Sequence, residues 1–207
     1  MNRTTLHSAI TAALALAVMI VGSAMPPTAA QAKSVKKIAS PVELFDAVKK
    51  GDRAAIDAAL KKGIDINSAD ESDNFATPLL MALRKSDFET AKYLVSKKAD
   101  VNACFPSGCI IHHAARDSNT EAVVFLVENG ARLDAATYNG ETALSIAALR
   151  SNERLVEFLL GKGADPNPGL TDSPSLLNLA KKKGNQNIIN MLAKAGGKDY
   201  EGITGGD

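Results

Sequence analysis

The sequence predicts an all-α solenoid of about five stacked helix pairs, preceded by a signal peptide. Three observations carry that prediction. An apolar position recurs as Leu44, Leu79, Ile111, Leu144 and Leu177, at intervals of 35, 32, 33 and 33 residues, the self-similarity of a repeat array. A polar break follows each in register: Gly51-Asp52, Ser86-Asp87, Ser118-Asn119, Ser151-Asn152 and Gly184-Asn185. An exit turn keeps the same step, running from Gly63 to Asn67, Lys98 to Asn102, Gly130 to Asp134 and Gly163 to Asn167.

The clearest unit spans residues 141–167. Leu144, Ala147 and Ala148 share one face of a first helix. After Ser151-Asn152, the residues Leu155, Val156, Phe158, Leu159 and Leu160 form a second helix. It stops at Gly161-Lys162-Gly163, where glycine supplies the positive φ of a helix C-terminus. Thr77-Pro78-Leu79 and Ile111-His112-His113-Ala114-Ala115 carry parts of a Thr-Pro-Leu-His-x-Ala run on this period. The chain therefore resembles the ankyrin repeat family from residue 41 to about 196. The resemblance implies helix pairs with β-hairpin fingers between them, used as a protein-binding surface. The repeats are expected at about 41–70, 71–103, 104–136, 137–169 and 170–197.

Residues 1–32 read as a secretory signal peptide. Arg3 supplies the charged start, and Ala9 to Val21 is an apolar run broken only by Thr11, too short to span a bilayer comfortably. Pro26-Pro27 ends any helix, and Ala30-Gln31-Ala32 offers small residues for cleavage, placing the mature start near Lys33. Cleavage after Ala24 or Ala30, or an uncleaved anchor, is the alternative. The segment looks bacterial, which points to the periplasm or the medium. Residues 33–40 are a basic lead-in. Removing residues 1–32, which hold one Arg and no acid, takes the formal charge from +1 to zero. Bulk attraction to nucleic acid or to a membrane surface is not indicated, and a monomer is expected.

The first unit pairs a helix near Glu43–Lys50 with one near Arg53–Lys62. Its polar positions Glu43, Asp46, Lys49 and Lys50 suit an end that has no neighbour on one side. The longer first finger, residues 68–76, holds Asp70, Glu71 and Asp73. Its simplest reading is a solvated loop, and an acidic contact point is the sharper one. In the second unit Phe88, Ala91, Tyr93, Leu94 and Val95 supply the packing helix.

Cys104-Phe105-Pro106-Ser107-Gly108-Cys109 falls on the second finger, with Cys109 in the slot of Thr77, Thr142 and Ser175. In an exported protein two cysteines closing such a turn are expected to form a disulfide. So small a loop would contribute roughly 2 kcal/mol in the chain-entropy model. A redox-active pair and two free thiols are the alternatives, the former without a Cys-x-x-Cys motif. His112 holds the family's structural histidine position, where the resemblance implies a bond to local backbone. Neighbouring residues of one helix do not converge on a metal ion, so no metal and no cofactor are expected. No phosphate loop, nucleophile elbow or His-Glu-x-x-His run is present, so the expected role is not enzymatic.

At the end of each first helix stand Lys49-Lys50, Arg84-Lys85, Arg116-Asp117, Leu149-Arg150 and Lys182-Lys183, eight of these ten being basic. Cations at a helix C-terminus are stabilised by the macrodipole, by about 0.3 to 1 kcal/mol each. The sharper reading is a basic track on the concave side that meets an acidic partner. The candidate contacts are Arg84, Lys85, Arg116 and Arg150, with Phe105, Tyr138, Asn139 and Asp172 on the overlooking fingers. Reversing Arg84, Lys85 and Arg116 to Glu is expected to leave folding intact and weaken binding. The last unit, with Asn178, Lys181, Lys182, Lys183, Asn185, Gln186, Asn187 and Asn190, reads as a polar carboxy-terminal cap. Gly196-Gly197 ends it, and residues 198–207 read as a flexible tail.

The expected function is protein binding in the periplasm or medium through the concave face and fingertips. Exported proteins of similar appearance suggest an accessory role in envelope or peroxide defence beside catalase. An immunity protein that blocks a toxin, and a redox protein using Cys104 and Cys109, are the competing readings.

Overall fold

The structure, a computed structural model, describes residues 40–70, 73, 75–169 and 174–200. The signal peptide expected over residues 1–32, nearly all of the expected lead-in, Glu71, Asp172 and residues 201–207 lie outside the described residues.

Among the described residues, five helix pairs follow one another in the expected register. They are α1 (Val42–Lys50) with α2 (Arg53–Lys61), α3 (Pro78–Arg84) with α4 (Phe88–Ser96), and α5 (Ile110–Arg116) with α6 (Thr120–Glu128). Then come α7 (Ala143–Leu149) with α8 (Glu153–Gly161) and α9 (Leu176–Lys183) with α10 (Gln186–Lys194). Each first helix packs on the next first helix, from α1 through α9. Leu44, Leu79, Ile111, Leu144 and Leu177, the residues that set the register, are all buried in one continuous core. Burial of such a side chain is worth about 1.5 to 3 kcal/mol, so the repeat length is set by the residues that hold neighbours together.

The polar breaks have a shared physical cause. Gly51, Ser86, Ser118, Ser151 and Gly184 all take positive φ, between 55° and 80°, reversing the chain after the first helix. The next residue then caps the second helix. Asp52, Asp87, Asn119, Asn152 and Asn185 accept from the N–H groups of Ala55, Thr90, Ala122, Leu155 and Ile188. Each cap is worth about 1 kcal/mol. Thr77, Thr142 and Ser175 cap the first helices in the same way. Where Cys109 stands instead, the compensating bond is its own N–H donating to His112 Nδ1 at 2.9 Å.

The exit turns fasten one repeat to the next. The side-chain oxygens of Asn67, Asn102, Asp134 and Asn167 accept from the backbone N–H groups of Asp100, Arg132, Asp165 and Lys198, at 2.8, 2.8, 3.0 and 2.7 Å. The carboxamides of Asn102 and Asn167 also donate to the carbonyls of Gly130 and Gly196. This ladder corrects the boundary of the tail. Lys198 is its last rung, Tyr200 exchanges backbone and side-chain bonds with Ser175, and Asp199 pairs with Lys181. Residues 198–200 thus close the last repeat.

The fingers are less regular than β-hairpins throughout. Among the described residues, strand pairing is confined to the second finger, where β1 (Cys104–Phe105) runs antiparallel to β2 (Gly108–Cys109). The first finger has a single bridge, Asp70 to Ala76. The third is a turn closed by Thr137 N–H on the Glu141 carbonyl.

Candidate functional site

The fingertips hold a surface cleft of about 540 Å³ between the second and third fingers. Its lining includes Phe105, Pro106, Arg132, Ala135, Ala136 and Tyr138, together with Cys104 and Cys109. Volumes of this order are typical of ligand and side-chain pockets. Phe105 is half-buried because its ring stacks on Phe75 of the first finger, with centroids 5.8 Å apart. Tyr138 is 97% exposed and packs on nothing that would explain it. The chain thus presents one anchored aromatic and one free aromatic to the same space.

The second finger is held from below by the two histidines. His112 Nδ1 accepts from Cys109 N–H, and Nε2 donates to the Ala135 carbonyl of the third finger at 2.7 Å, which defines a neutral ring protonated on Nε2. Burial pushes the pKa of His112 below its ordinary value, with the Ala135 bond opposing and the nearby Arg116 charge adding to the drop. His113 lies 3.2 Å from Ser107 Oγ and is likewise lowered, by burial and then by Arg116 and Arg84. One ring therefore ties two fingers to a helix, and the other ties the finger's turn. Gly108 has φ of 120°, and a Cβ there would stand 3.0 Å from His112 Nδ1 and 3.1 Å from Thr137 Cγ2. Only glycine lets the finger lie this close.

Cys104 and Cys109 are direct cross-strand partners with Cα atoms 3.7 Å apart. Among the described residues, no group of three or more His, Cys, Asp or Glu is placed to hold a metal ion.

The basic stripe is not a row of free cations. Arg84 Nε donates to Asp117 at 2.8 Å and its Nη1 to Asp73 at 3.3 Å, leaving its side chain 25% exposed. Arg116 donates to the Ser107 carbonyl at 2.7 Å and to Glu141 at 2.8 Å. Lys85 Nζ donates to the Lys49 carbonyl at the end of α1, the contact expected of a cation at a helix C-terminus. Lys49, Lys50, Arg150, Lys182 and Lys183 are exposed. The expectation that the Arg84, Lys85, Arg116 triple reversal is structurally silent is therefore corrected, because each reversal breaks bonds between repeats. The structure brings Phe105 and Tyr138 to one cleft. Asn139 is exposed on the adjoining turn, Arg84 and Arg116 serve the joints between repeats, and Asp172 is outside the described residues.

Sequence reasoning passed over Arg132. Its slot is held by Asp65, Asp100 and Asp165 in the other exit turns, where the carboxylate accepts the N–H two residues on at 2.9, 2.8 and 2.9 Å. Arginine cannot make that bond, so the third exit gives up a local interaction and gains an exposed guanidinium in the cleft. The departure from register was the available signal.

Two family models match the chain. One described as ankyrin repeats (3 copies) covers residues 44–137, and one described as ankyrin repeats (many copies) covers residues 111–167. Among curated relatives, ankyrin repeat and SOCS box protein 11 of Homo sapiens is 31% identical over 58% of this chain and 36% of its own length. The Mus musculus counterpart is 31% identical over 53% and 33%. A transient receptor potential cation channel subfamily A member 1 homolog of Caenorhabditis elegans is 30% identical over 46% of this chain and 8% of its own length. The chain thus spans about a third of the first relatives it matches, and the similarity lies in the repeats.

Proposed function

The chain belongs to the ankyrin repeat family, and from this we propose that it is a binding module which docks a protein partner at the cleft between its second and third fingers. Repeats of this family suggest protein–protein interaction and are typically not enzymes. The observation that carries the assignment to this cleft is the meeting of exposed Tyr138 with Phe105 and Arg132 around one space. Binding energy at interfaces concentrates in a few well-packed anchors, enriched in tyrosine and arginine, whose truncation costs about 2 kcal/mol or more. The alternative track along the first helices is supported less well, since Arg84 and Arg116 already have carboxylate partners.

We also propose that the protein is exported and that Cys104 and Cys109 are oxidised. The apolar run from Ala9 to Val21 and the cross-strand placement of the cysteines support this reading. No helix among the described residues is long and apolar enough to cross a membrane. Thiol alkylation before and after reduction, read by mass spectrometry, tests the oxidation, and the amino-terminal residue of the recovered protein tests the export.

Affinity capture tests the docking reading, comparing wild type, Tyr138→Ala, and a Lys182→Glu/Lys183→Glu form as a control at the exposed far end of the stripe. The reading expects a partner retained by wild type and control and lost with Tyr138→Ala. A partner retained by Tyr138→Ala and lost in the control would move the site to the first-helix row.

A further inference from the structure

We infer that the fingertip cleft recognises an internal Asp or Glu side chain set beside an apolar residue in an extended segment of the partner, with Arg132 as the carboxylate-binding group. The inference rests on the docking reading and gives it a chemistry.

Three observations converge on Arg132. Its slot lacks the Asp side-chain bond made at residues 65, 100 and 165, a lack it shares with Lys198 at the end of the array, where no further repeat follows among the described residues. Departures from a local rule are expected at functional or strained sites. Second, Arg53, Arg84, Arg116 and Arg154 all have carboxylate partners, whereas the Arg132 guanidinium reaches only Cys104 Sγ at 3.8 Å. Sulfur is a weak acceptor, and among the described residues Arg132 makes no ion pair. Arg150 shares that lack of a pair but does not line the cleft. Third, Arg132 shares the lining of the cleft with Phe105, Pro106, Ala135, Ala136 and Tyr138. These walls suit an apolar side chain and would exclude water from an ion pair once covered.

The chemistry follows from the count of charges. The planar guanidinium presents paired donors that match a carboxylate. The cleft has no second cation in its lining, so it suits a singly charged carboxylate better than a doubly charged phosphate. An aromatic rim sets the requirement for an apolar neighbour, and the opening between two fingers suits a chain lying across them.

The backbone N–H of Arg132 is held by Asn102 whatever side chain residue 132 carries. An Arg132→Asn change also restores a side-chain acceptor for the turn, so it removes the charge without loosening the finger. The full chain is panned against random peptides displayed with both ends embedded in a carrier protein, so that only side-chain carboxylates are offered. The expected result is an enriched motif with Asp or Glu next to an aliphatic or aromatic residue. Changing that acid to its amide should weaken binding at least tenfold to wild type, and should make no difference to the Arg132→Asn form. An enriched motif without an acid, an acid whose removal costs the same in both forms, or no enrichment at all would overturn the inference. Tyr138→Ala separates this from failure of the docking reading. If enriched peptides without an acid are lost with Tyr138→Ala, the cleft docks a partner by another chemistry; if they persist, the cleft is not the docking site.

Discussion

The side-chain oxygen of Asn102 accepts the backbone N–H of Arg132 at 2.8 Å, so the residue that departs most from its turn is fastened by the repeat before it. The equivalent rungs Asn67 to Asp100 and Asn167 to Lys198 have nearly the same length. The departure at Arg132 is therefore confined to its side chain. Arg132→Asn should raise stability by about 0.5 to 1 kcal/mol through the regained turn bond, read as a higher midpoint in urea. A lower midpoint would mean that the arginine supports the fold after all.

Asp134 is the one rung acceptor in the ladder that is not an asparagine. Asn102 and Asn167 each add a donated bond to the carbonyl of Gly130 or Gly196, which a carboxylate cannot make. Asp134→Asn is expected to gain that bond to Gly163 and about 0.5 to 1.5 kcal/mol, checked by thermal unfolding.

Lys98 takes φ of 72° at the end of α4, where Gly63, Gly130, Gly163 and Gly196 stand in the other repeats. A side chain there is strained. Lys98→Gly should stabilise by about 0.5 to 1 kcal/mol despite the greater freedom of glycine in the unfolded chain. Differential scanning calorimetry should show a rise of about 2 °C.

His112 and His113 are both held below their ordinary pKa, chiefly by burial. The unfolded chain therefore binds more protons than the folded one once pH falls below about 6.5. Stability should be full above that range and decline as pH falls through it toward the lowered folded values. Urea midpoints between pH 7.5 and 5 measure the slope, and a His112→Gln/His113→Gln form should flatten it.

Arg84 lies between Asp117 and Asp73, which belong to different repeats. Arg84→Glu replaces an attraction with a cluster of three carboxylates and should cost about 1 kcal/mol or more at low salt. Added salt should recover part of the loss. Equal stability at both salt concentrations would show the pairs to be energetically idle.

What was legible in the sequence was whatever the backbone demands. The Gly-Asp, Ser-Asp, Ser-Asn and Gly-Asn breaks proved to be left-handed residues followed by helix caps, and the apolar register proved to be the core. These features depend on neighbours a few residues away, so composition and spacing reveal them. Arg84 with Asp117 could not be read in this way, although both stood in the aligned stripe, because that pairing depends on how far one repeat is offset from the next. Phe105 on Phe75 is of the same kind, as the two rings come from different fingers. The role of Arg132 was legible only as an irregularity in an otherwise regular slot.

Every rung of the exit ladder takes an amide hydrogen from the main chain of the donor residue, so the rung itself does not depend on the donor's side chain. Positions 132 and 198, where no aspartate holds the turn, can thus exchange one side chain for another while the joint beneath stays as it is. Cohesion and recognition are written on different atoms of the same residue, and a lineage altering the face this protein shows to its partner has a set of sites already insulated from the cost.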